Sequence, residues 1–270
     1  MTPAIDEDRM KQFFSTVMKK KQLTPAEQLI LNNPVEQRIK IASNEHTPPE
    51  ILSMLAEDWC LDVLTSVARN HNTPPETLKK LATRRNGLAI HKAVANNPNT
   101  PPEALKKLAN DSFSWVREAV AKNPNTPPEA LNKLADDENE ELRLYVAQNP
   151  NTPPETLKKL ANDSFSWVRV AVAKNLNTPP ETLNKLVDDE SVSVRFHVAK
   201  NPNTPPEALK KLTNDMYDDV RRAVVENPNT PPELLKKLAS DSFSWVREAV
   251  AKNPNTPPDI REKLRAELNI

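Results

Sequence analysis

The sequence predicts an all-α solenoid of about nine stacked repeats, each of 26 residues and two helices. Thr-Pro-Pro-Glu occurs eight times, a ninth copy ends in Asp259, and successive copies start 26 residues apart except for one step of 27. Two apolar patterns, each with helical spacing, alternate within every period. With 27 prolines and one glycine, the turns are built without glycine. A fixed period in this range indicates a stacked repeat protein.

The first helix of each repeat begins at the Thr-Pro-Pro-Glu sequence, as residues 100–125 illustrate. Thr100 is predicted as the N-cap and Glu103 as its capping-box partner, with Pro101 at the first helical position. Leu105 and Leu108 lie three residues apart on one face. We expect a helix of about three turns.

The second helix follows an acidic residue. Asp111 is predicted to begin it as an N-cap, and Val116, Ala119 and Val120 form its apolar stripe. Asn123 ends it, and asparagine tolerates left-handed backbone geometry better than most residues. We therefore expect about ten residues of helix, closed by a left-handed asparagine.

An arginine recurs at one place of the second helix. Two interpretations are open: a ladder in which each guanidinium binds the aspartate of its own or an adjacent repeat, or a row that binds anions. The aspartate that stands six residues before six of these seven arginines favours the ladder. The positions are 38, 117, 143, 169, 195, 221 and 247.

The combined pattern Asp-x5-Arg-x2-Val-Ala-x-Asn-Pro-x-Thr-Pro-Pro-Glu-x-Leu-x2-Leu resembles the leucine-rich repeat variant family over roughly residues 34–264. It is also similar to HEAT repeats. The first resemblance implies a right-handed superhelix in which one helix per repeat can be 3₁₀. The second implies that the second helices line a concave surface. From the residues alone, both helices are predicted to be α.

The predicted solenoid is a single domain with three parts: an N-terminal helical cap over 1–33, the repeats over 34–258 and a C-terminal capping helix over 259–270. An amphipathic helix over 5–20 would cover the first repeat. The alternative is that this helix binds a partner. We expect a kink or phase shift over 83–90, where the one extra residue falls.

The candidate binding surface consists of large apolar residues on the second helices. Trp115, Trp167 and Trp245 occupy a place where other repeats carry Asp62, Glu141 or Asp219, so the tryptophans should be exposed. Such side chains are typical anchors for a protein or peptide. The alternative is that each Phe-x-Trp pair packs across the next repeat. The candidate residues are Phe113, Trp115, Leu144, Phe165, Trp167, Val170, Phe196, Tyr217, Phe243 and Trp245.

A second candidate surface is a row of lysines on the first helices, which could follow a phosphate backbone. An acidic residue stands four positions before each lysine, as Glu103 before Lys107, and such i,i+4 pairs argue against nucleic acid. Self-association through the aromatic residues is a third possibility. The lysines are 80, 107, 133, 159, 185, 211, 237 and 263.

Composition argues against several other functions. Lys plus Arg (37) equals Asp plus Glu (37), so nothing attracts the chain to nucleic acid or anionic membrane. The four histidines are scattered, and the single Cys60 excludes a cysteine metal cluster. We therefore expect a cytoplasmic, non-enzymatic protein without metal or cofactor.

Overall fold

The computed structural model describes residues 28, 30–84 and 87–270. These residues contain a succession of α-helices and no β-strand. They divide after Ala130 into two compact units. The helix predicted over 5–20 lies outside the described residues. The all-α prediction is confirmed.

The first unit alternates helices of nine and seven residues. They are α1 (Val35–Ser43), α2 (Pro49–Leu55), α3 (Leu61–Arg69), α4 (Pro75–Leu81), α5 (Leu88–Asn96), α6 (Pro102–Leu108) and α7 (Ser114–Lys122).

The second unit continues the same alternation. The boundary between the units falls within α8 (Pro128–Leu134). There follow α9 (Glu140–Gln148), α10 (Pro154–Leu160), α11 (Ser166–Lys174), α12 (Pro180–Leu186), α13 (Val192–Lys200), α14 (Pro206–Leu212), α15 (Asp218–Glu226), α16 (Pro232–Leu238), α17 (Ser244–Lys252) and the longer α18 (Pro258–Leu268).

The nine-residue helices are the structural spine of each unit. Within a unit, the nine-residue helices of successive repeats pack along one another, and the seven-residue helices contact the nine-residue helices beside them. The predicted leucine pairs point inward: Leu209 and Leu212 of α14 are buried, as are Val220, Ala223 and Val224 of α15. Burial of each such leucine contributes roughly 2–3 kcal/mol.

Both helices of each described repeat are α-helical, so the 3₁₀ helix that the family resemblance allowed is not found there. The first helix is shorter than expected, with seven residues instead of about ten. In α6, Pro101 is the N-cap and Pro102 the first helical residue. Ala109 then turns the chain, donating to the carbonyls of Leu105 and Lys107. The handedness of the superhelix and its concave side stay predictions.

The predicted role of threonine was wrong. Thr204 is not an N-cap, since Pro205 occupies that place and the helix has no side-chain cap. The buried Thr204 hydroxyl instead donates to the carbonyl of Val198, near the end of α13. The threonine therefore satisfies the end of the preceding helix. The same bond recurs at Thr47, Thr73, Thr100, Thr126, Thr152, Thr178, Thr230 and Thr256.

The predicted geometry of asparagine was also wrong. Asn201 ends α13 in an extended conformation, with φ −70° and ψ 125°. Its side-chain amide donates to the carbonyls of Ala173 and Asn175 in the preceding repeat, at 2.8 and 3.1 Å. Its Oδ1 accepts from the backbone N–H of Asn203 at 2.9 Å. Asparagine is required here for its amide, which links repeats. Corresponding amide bonds are made by Asn70, Asn97, Asn123, Asn175, Asn227 and Asn253.

The acidic residue does not cap the second helix directly. Asp215 lies three residues before α15, and its Oδ1 accepts from the backbone N–H of Tyr217 at 3.0 Å.

The position of the one extra residue in the 27-residue step is consistent with the prediction. Six residues separate Leu81 from Leu88, whereas five separate Leu108 from Ser114. Residues 85 and 86, in that turn, are outside the described part of the chain, so the predicted kink over 83–90 stays a prediction.

Candidate partner-binding surface

Three tryptophans are exposed, as the sequence predicted. Each is the second residue of a nine-residue helix, in α7, α11 and α17. Trp115 is 41% exposed, Trp167 46% and Trp245 43%. An indole with this exposure leaves a substantial apolar area in water.

Each tryptophan lies against the aromatic ring two residues before it. Phe113 and Trp115 have ring centroids 5.0 Å apart and nearly parallel planes, 19° from each other. The corresponding centroid distances are 4.6 Å for Phe165 with Trp167 and 4.7 Å for Phe243 with Trp245. The two rings of each pair therefore form one apolar body beside the helix N-terminus.

An arginine of the preceding repeat lies over the first ring of two of these pairs. In the second unit, the guanidinium of Arg143 lies 5.9 Å from the ring centre of Phe165, and that of Arg221 lies 5.6 Å from Phe243. Arg195 lies 5.7 Å from Tyr217 in the same way. Packing between repeats therefore contacts this first ring, but Phe243 is still 36% exposed and Phe113 42%. It does not cover the tryptophans, which remain exposed.

Trp245 also contacts the preceding repeat through its polar edge. Its Nε1 donates to Oδ2 of Asp218 at 2.7 Å, a bond that the sequence did not predict. Beside the ring lies a cleft of about 320 Å³ between α15 and α17, lined by Arg222, Glu226 and Lys252 among others. The indole is therefore held in place at the edge of an open cleft.

Three of the remaining candidate residues are less exposed, whereas Tyr217 is 46% exposed. Leu144, Val170 and Phe196 occupy one place in α9, α11 and α13 and are half-buried. Phe196 contacts the ring of His197 edge-on at 5.1 Å, and Lys200 Nζ lies 5.2 Å from its centre.

His197 has a strongly perturbed pKa. Burial, together with the charges of Lys174 and Lys200, lowers the pKa of His197 to about 4. Its imidazole is therefore neutral at physiological pH.

The predicted arginine ladder is confirmed at five arginines, each bound to the aspartate of the following repeat. Arg169 donates from Nε and Nη2 to the two oxygens of Asp189, at 2.6 and 2.9 Å, and from Nη1 to the backbone carbonyl of Asp163. The side-chain hydrogen bond to Asp189 raises the pKa of Arg169 against the opposing effect of burial. Equivalent ion pairs join Arg38 to Asp58, Arg143 to Asp163, Arg195 to Asp215 and Arg221 to Asp241.

At the irregular repeat a histidine takes the place of the arginine. His91 contacts Oδ2 of Asp111 through Nδ1 at 2.7 Å, and the backbone carbonyl of Arg84 through Nε2 at 2.9 Å. The ladder position is thus used there despite the extra residue.

A comparison with protein-family models identifies the repeats. The model of the family described as leucine rich repeat variant matches residues 90–113, 115–139, 140–165 and 218–243. These four segments therefore match leucine rich repeat variant repeats. Among curated protein sequences, none matches the chain significantly.

A solved structure supports the same assignment. It is described as a leucine-rich repeat variant with a novel repetitive protein structural motif, and it is 27% identical to this chain. The match covers 82% of this chain and 88% of that one, with a TM-score of 0.58. The resemblance identified from the Asp-x5-Arg and Thr-Pro-Pro-Glu patterns is therefore confirmed.

Two more distant structures also match. An engineered protein is 17% identical over 90% of this chain and 92% of its own, with a TM-score of 0.42. A designed armadillo repeat protein in complex with the peptide (KR)4 is 18% identical over 84% of this chain and 97% of its own, with a TM-score of 0.21. At these TM-scores neither match supports an inference about this chain.

The lysines of the leucine rich repeat variant repeats are paired differently from the prediction. Lys80, Lys159 and Lys211 donate to an acidic residue 23 positions earlier, in the preceding repeat: Glu57, Asp136 and Asp188. Lys185 and Lys237 donate to Asn162 and Asn214 at the same spacing. These five lysines make contacts to the preceding repeat instead of the expected i,i+4 pairs, and three of the five acceptors are acidic.

Within the described residues, no group of three or more His, Cys, Asp or Glu side chains is arranged to hold a metal ion. The described helices also include none with the length and apolar character needed to cross a membrane.

Proposed function

We propose that this repeat protein is a non-enzymatic cytoplasmic scaffold that binds a protein or peptide through its Phe-x-Trp pairs. The observation that carries the proposal is the exposure of Trp115, Trp167 and Trp245 at a place where other repeats carry acidic residues. Packing does not require an aromatic ring at this place.

The exposed indoles offer a favourable free energy of binding to a partner. Covering the exposed part of one indole would contribute roughly 2–3 kcal/mol, and interface hot spots are rich in tryptophan. The phenylalanine that lies against each indole restricts its motion, so less side-chain entropy is lost when a partner binds. Several such contacts on one chain would add in avidity.

The surroundings of Trp245 indicate the kind of partner. Arg222 and Lys252 face the cleft together with Glu226 and Glu248, so basic and acidic groups alternate around the apolar ring. A peptide with an apolar or aromatic anchor flanked by polar residues fits this surface. The half-buried Leu144, Val170 and Phe196 would extend the apolar contact along the second helices.

Peptide selection tests the proposal directly. Peptides selected from a random library on the wild-type protein should bind less well, by more than tenfold, to the triple variant in which Trp115, Trp167 and Trp245 are each replaced by serine. The matched control replaces the exposed Leu176 and Met216 by serine, which should leave binding unchanged. Both variants should keep the wild-type melting temperature within a few degrees.

Two results would contradict the proposal. One is peptide binding that the tryptophan variant retains. The other is a large drop in its melting temperature without loss of binding, which would make the tryptophans packing residues. A steep dependence of binding on salt would instead favour phosphate contacts by the lysines. Concentration-dependent sedimentation that the tryptophan variant abolishes would indicate self-association.

A further inference from the structure

In the second unit, one arginine of the ladder, Arg247, lacks the aspartate partner that the other ladder arginines have. At Arg143, Arg169, Arg195 and Arg221, the residue 20 positions later is an aspartate that accepts from both Nε and Nη2. At Arg247 the residue 20 positions later is Glu267, which lies on α18.

The guanidinium of Arg247 nevertheless has the orientation found in the complete rungs. Its Nη1 donates to the backbone carbonyls of Asp241 and Ser242, at 2.7 and 3.3 Å. Arg195 makes the corresponding bonds to Asp189 and Glu190, at 2.8 and 3.2 Å. The guanidinium is therefore already fixed with its Nε edge presented to a carboxylate position.

That Nε edge is not satisfied. Glu267 Oε1 comes within 3.4 Å of Arg247 Nε, which is an ion-pair contact without hydrogen-bond geometry. Arg247 Nε is buried and has no hydrogen-bond partner among the described residues. A buried, unsatisfied charged donor costs on the order of a few kcal/mol, so a well-placed acceptor would be bound favourably.

Space for such an acceptor is present beside the arginine. A cleft of about 540 Å³ lies between α16, α17 and α18, lined by Arg247, Lys236, Lys263 and Glu267, with Leu264 beneath. Three of these groups are basic and one is acidic. The other acidic residue at the cleft, Asp241, is bound to Arg221. The local charge therefore favours an anion.

We propose that this cleft is a carboxylate-binding site in which Arg247 holds the ligand in the two-bond geometry of the ladder. The ligand is a carboxylate of a peptide, either an Asp or Glu side chain or a chain terminus. Both sources carry the planar pair of oxygens that matches the guanidinium edge. Glu267 is the internal competitor, displaced when the ligand binds.

The site is tested by following the Arg247 Nε–Hε resonance in NMR spectra of the full chain during titration. N-acetyl-aspartate methylamide supplies a side-chain carboxylate and N-acetyl-alanine a chain-terminal one. Either should give saturable changes at Arg247 and none at the exposed Arg222. Sodium chloride at the same ionic strength should give none at either residue. The probe with the lower dissociation constant identifies the source.

Variants separate this site from general charge attraction. R247K keeps the positive charge but loses the planar pair of donors, so binding, followed in this variant through the backbone amide resonances of α17 and α18, should weaken about tenfold. E267Q removes the competing charge and should tighten binding several-fold. The proposal is overturned if chloride reproduces the carboxylate effect, if neither probe saturates, or if R247K binds as the wild type does. The aromatic surface plays no part in this test.

Discussion

Arg221 donates from Nε and Nη2 to the two carboxylate oxygens of Asp241, at 2.6 and 3.0 Å, and so joins two successive repeats. The arginine side chain is 12% exposed and the aspartate side chain 5%. The next residue, Arg222, forms an ion pair with Glu226 within one helix at the protein surface. Two adjacent arginines thus make pairs of very different burial, which allows a matched comparison.

The R221A variant should lose about 2–4 kcal/mol of unfolding free energy, because it leaves the carboxylate of Asp241 buried without its partner. R222A should lose about 0.5 kcal/mol or less, since its pair is exposed. Urea denaturation followed by circular dichroism measures both. Equal losses in the two variants would show that the ladder contributes no more than a surface ion pair.

The same pair predicts a dependence on acid. Burial opposes ionisation of Asp241, but the hydrogen bonds from Arg221 and Phe243 hold the pKa of Asp241 below its ordinary value of 3.8. The stabilisation by the charged pair is complete above that ordinary value and is lost as the pH falls through the lowered pKa. R221A should therefore show a weaker loss of stability between pH 5 and 2. An unchanged acid profile would contradict this.

Asn201 tests whether the asparagines are needed for their amides or for backbone conformation. N201A should lose about 2–4 kcal/mol, because two carbonyls and one backbone N–H lose their partner. N201G should be no better, since φ is −70° and glycine relieves no strain. A melting temperature for N201G well above that of N201A would support a left-handed helix end instead. The control is N203A, whose side chain is exposed.

Thr204 provides a test of the revised threonine role. T204S keeps the hydroxyl that donates to Val198 and should lose less stability than T204V. T204V is close to isosteric but leaves the buried carbonyl without that donor, so we expect a loss of about 1–2 kcal/mol. E207A should cost about 0.5 kcal/mol, a helix-dipole effect alone. A loss of unfolding free energy in E207A as large as in T204V would support the predicted capping box instead.

His197 predicts a second, milder acid sensitivity. Its pKa is about 4 in the folded protein and 6.5 in an unfolded chain, so the unfolded state binds the extra proton between these values. The folded protein should therefore lose about 1–2 kcal/mol as the pH falls from 6.5 to about 4, less than the full shift implies because solvent screens the partly exposed imidazole. H197Q should remove that part of the pH dependence, whereas H71Q, at an exposed position, should not. Parallel pH profiles for wild type and H197Q would contradict the assignment.

The residues that the sequence placed correctly are those whose role depends on one repeat alone. The spacing of Leu209 and Leu212 predicted two buried leucines, and both are buried. An acidic residue at the place of Trp245 predicted an exposed ring, because a place that accepts Asp219 faces water. These inferences need only helical periodicity and comparison between copies.

The residues that the sequence misplaced have their partners elsewhere. Thr204 and Asn201 were assigned to their own helix ends, since capping rules describe one helix at a time. Their actual acceptors belong to the preceding helix or the preceding repeat, up to 28 residues away. The bond from Trp245 to Asp218 was missed for the same reason. The spacing of neighbouring helices, which sequence does not give, determines which distant carbonyl or carboxylate lies within reach.

The asparagine bridges and the arginine ladder cross each repeat boundary in opposite directions. Asn201 reaches back to the repeat before it, whereas Arg195 reaches forward to Asp215 in the repeat after it. Among the 26-residue repeats of the second unit, a deletion of 26 residues rejoins these donors with equivalent acceptors, because both kinds of bond have the same period. A deletion of 25 or 27 residues leaves donors without acceptors on both sides of the cut. Whole repeats are therefore the natural unit in which a protein of this kind can be shortened or lengthened.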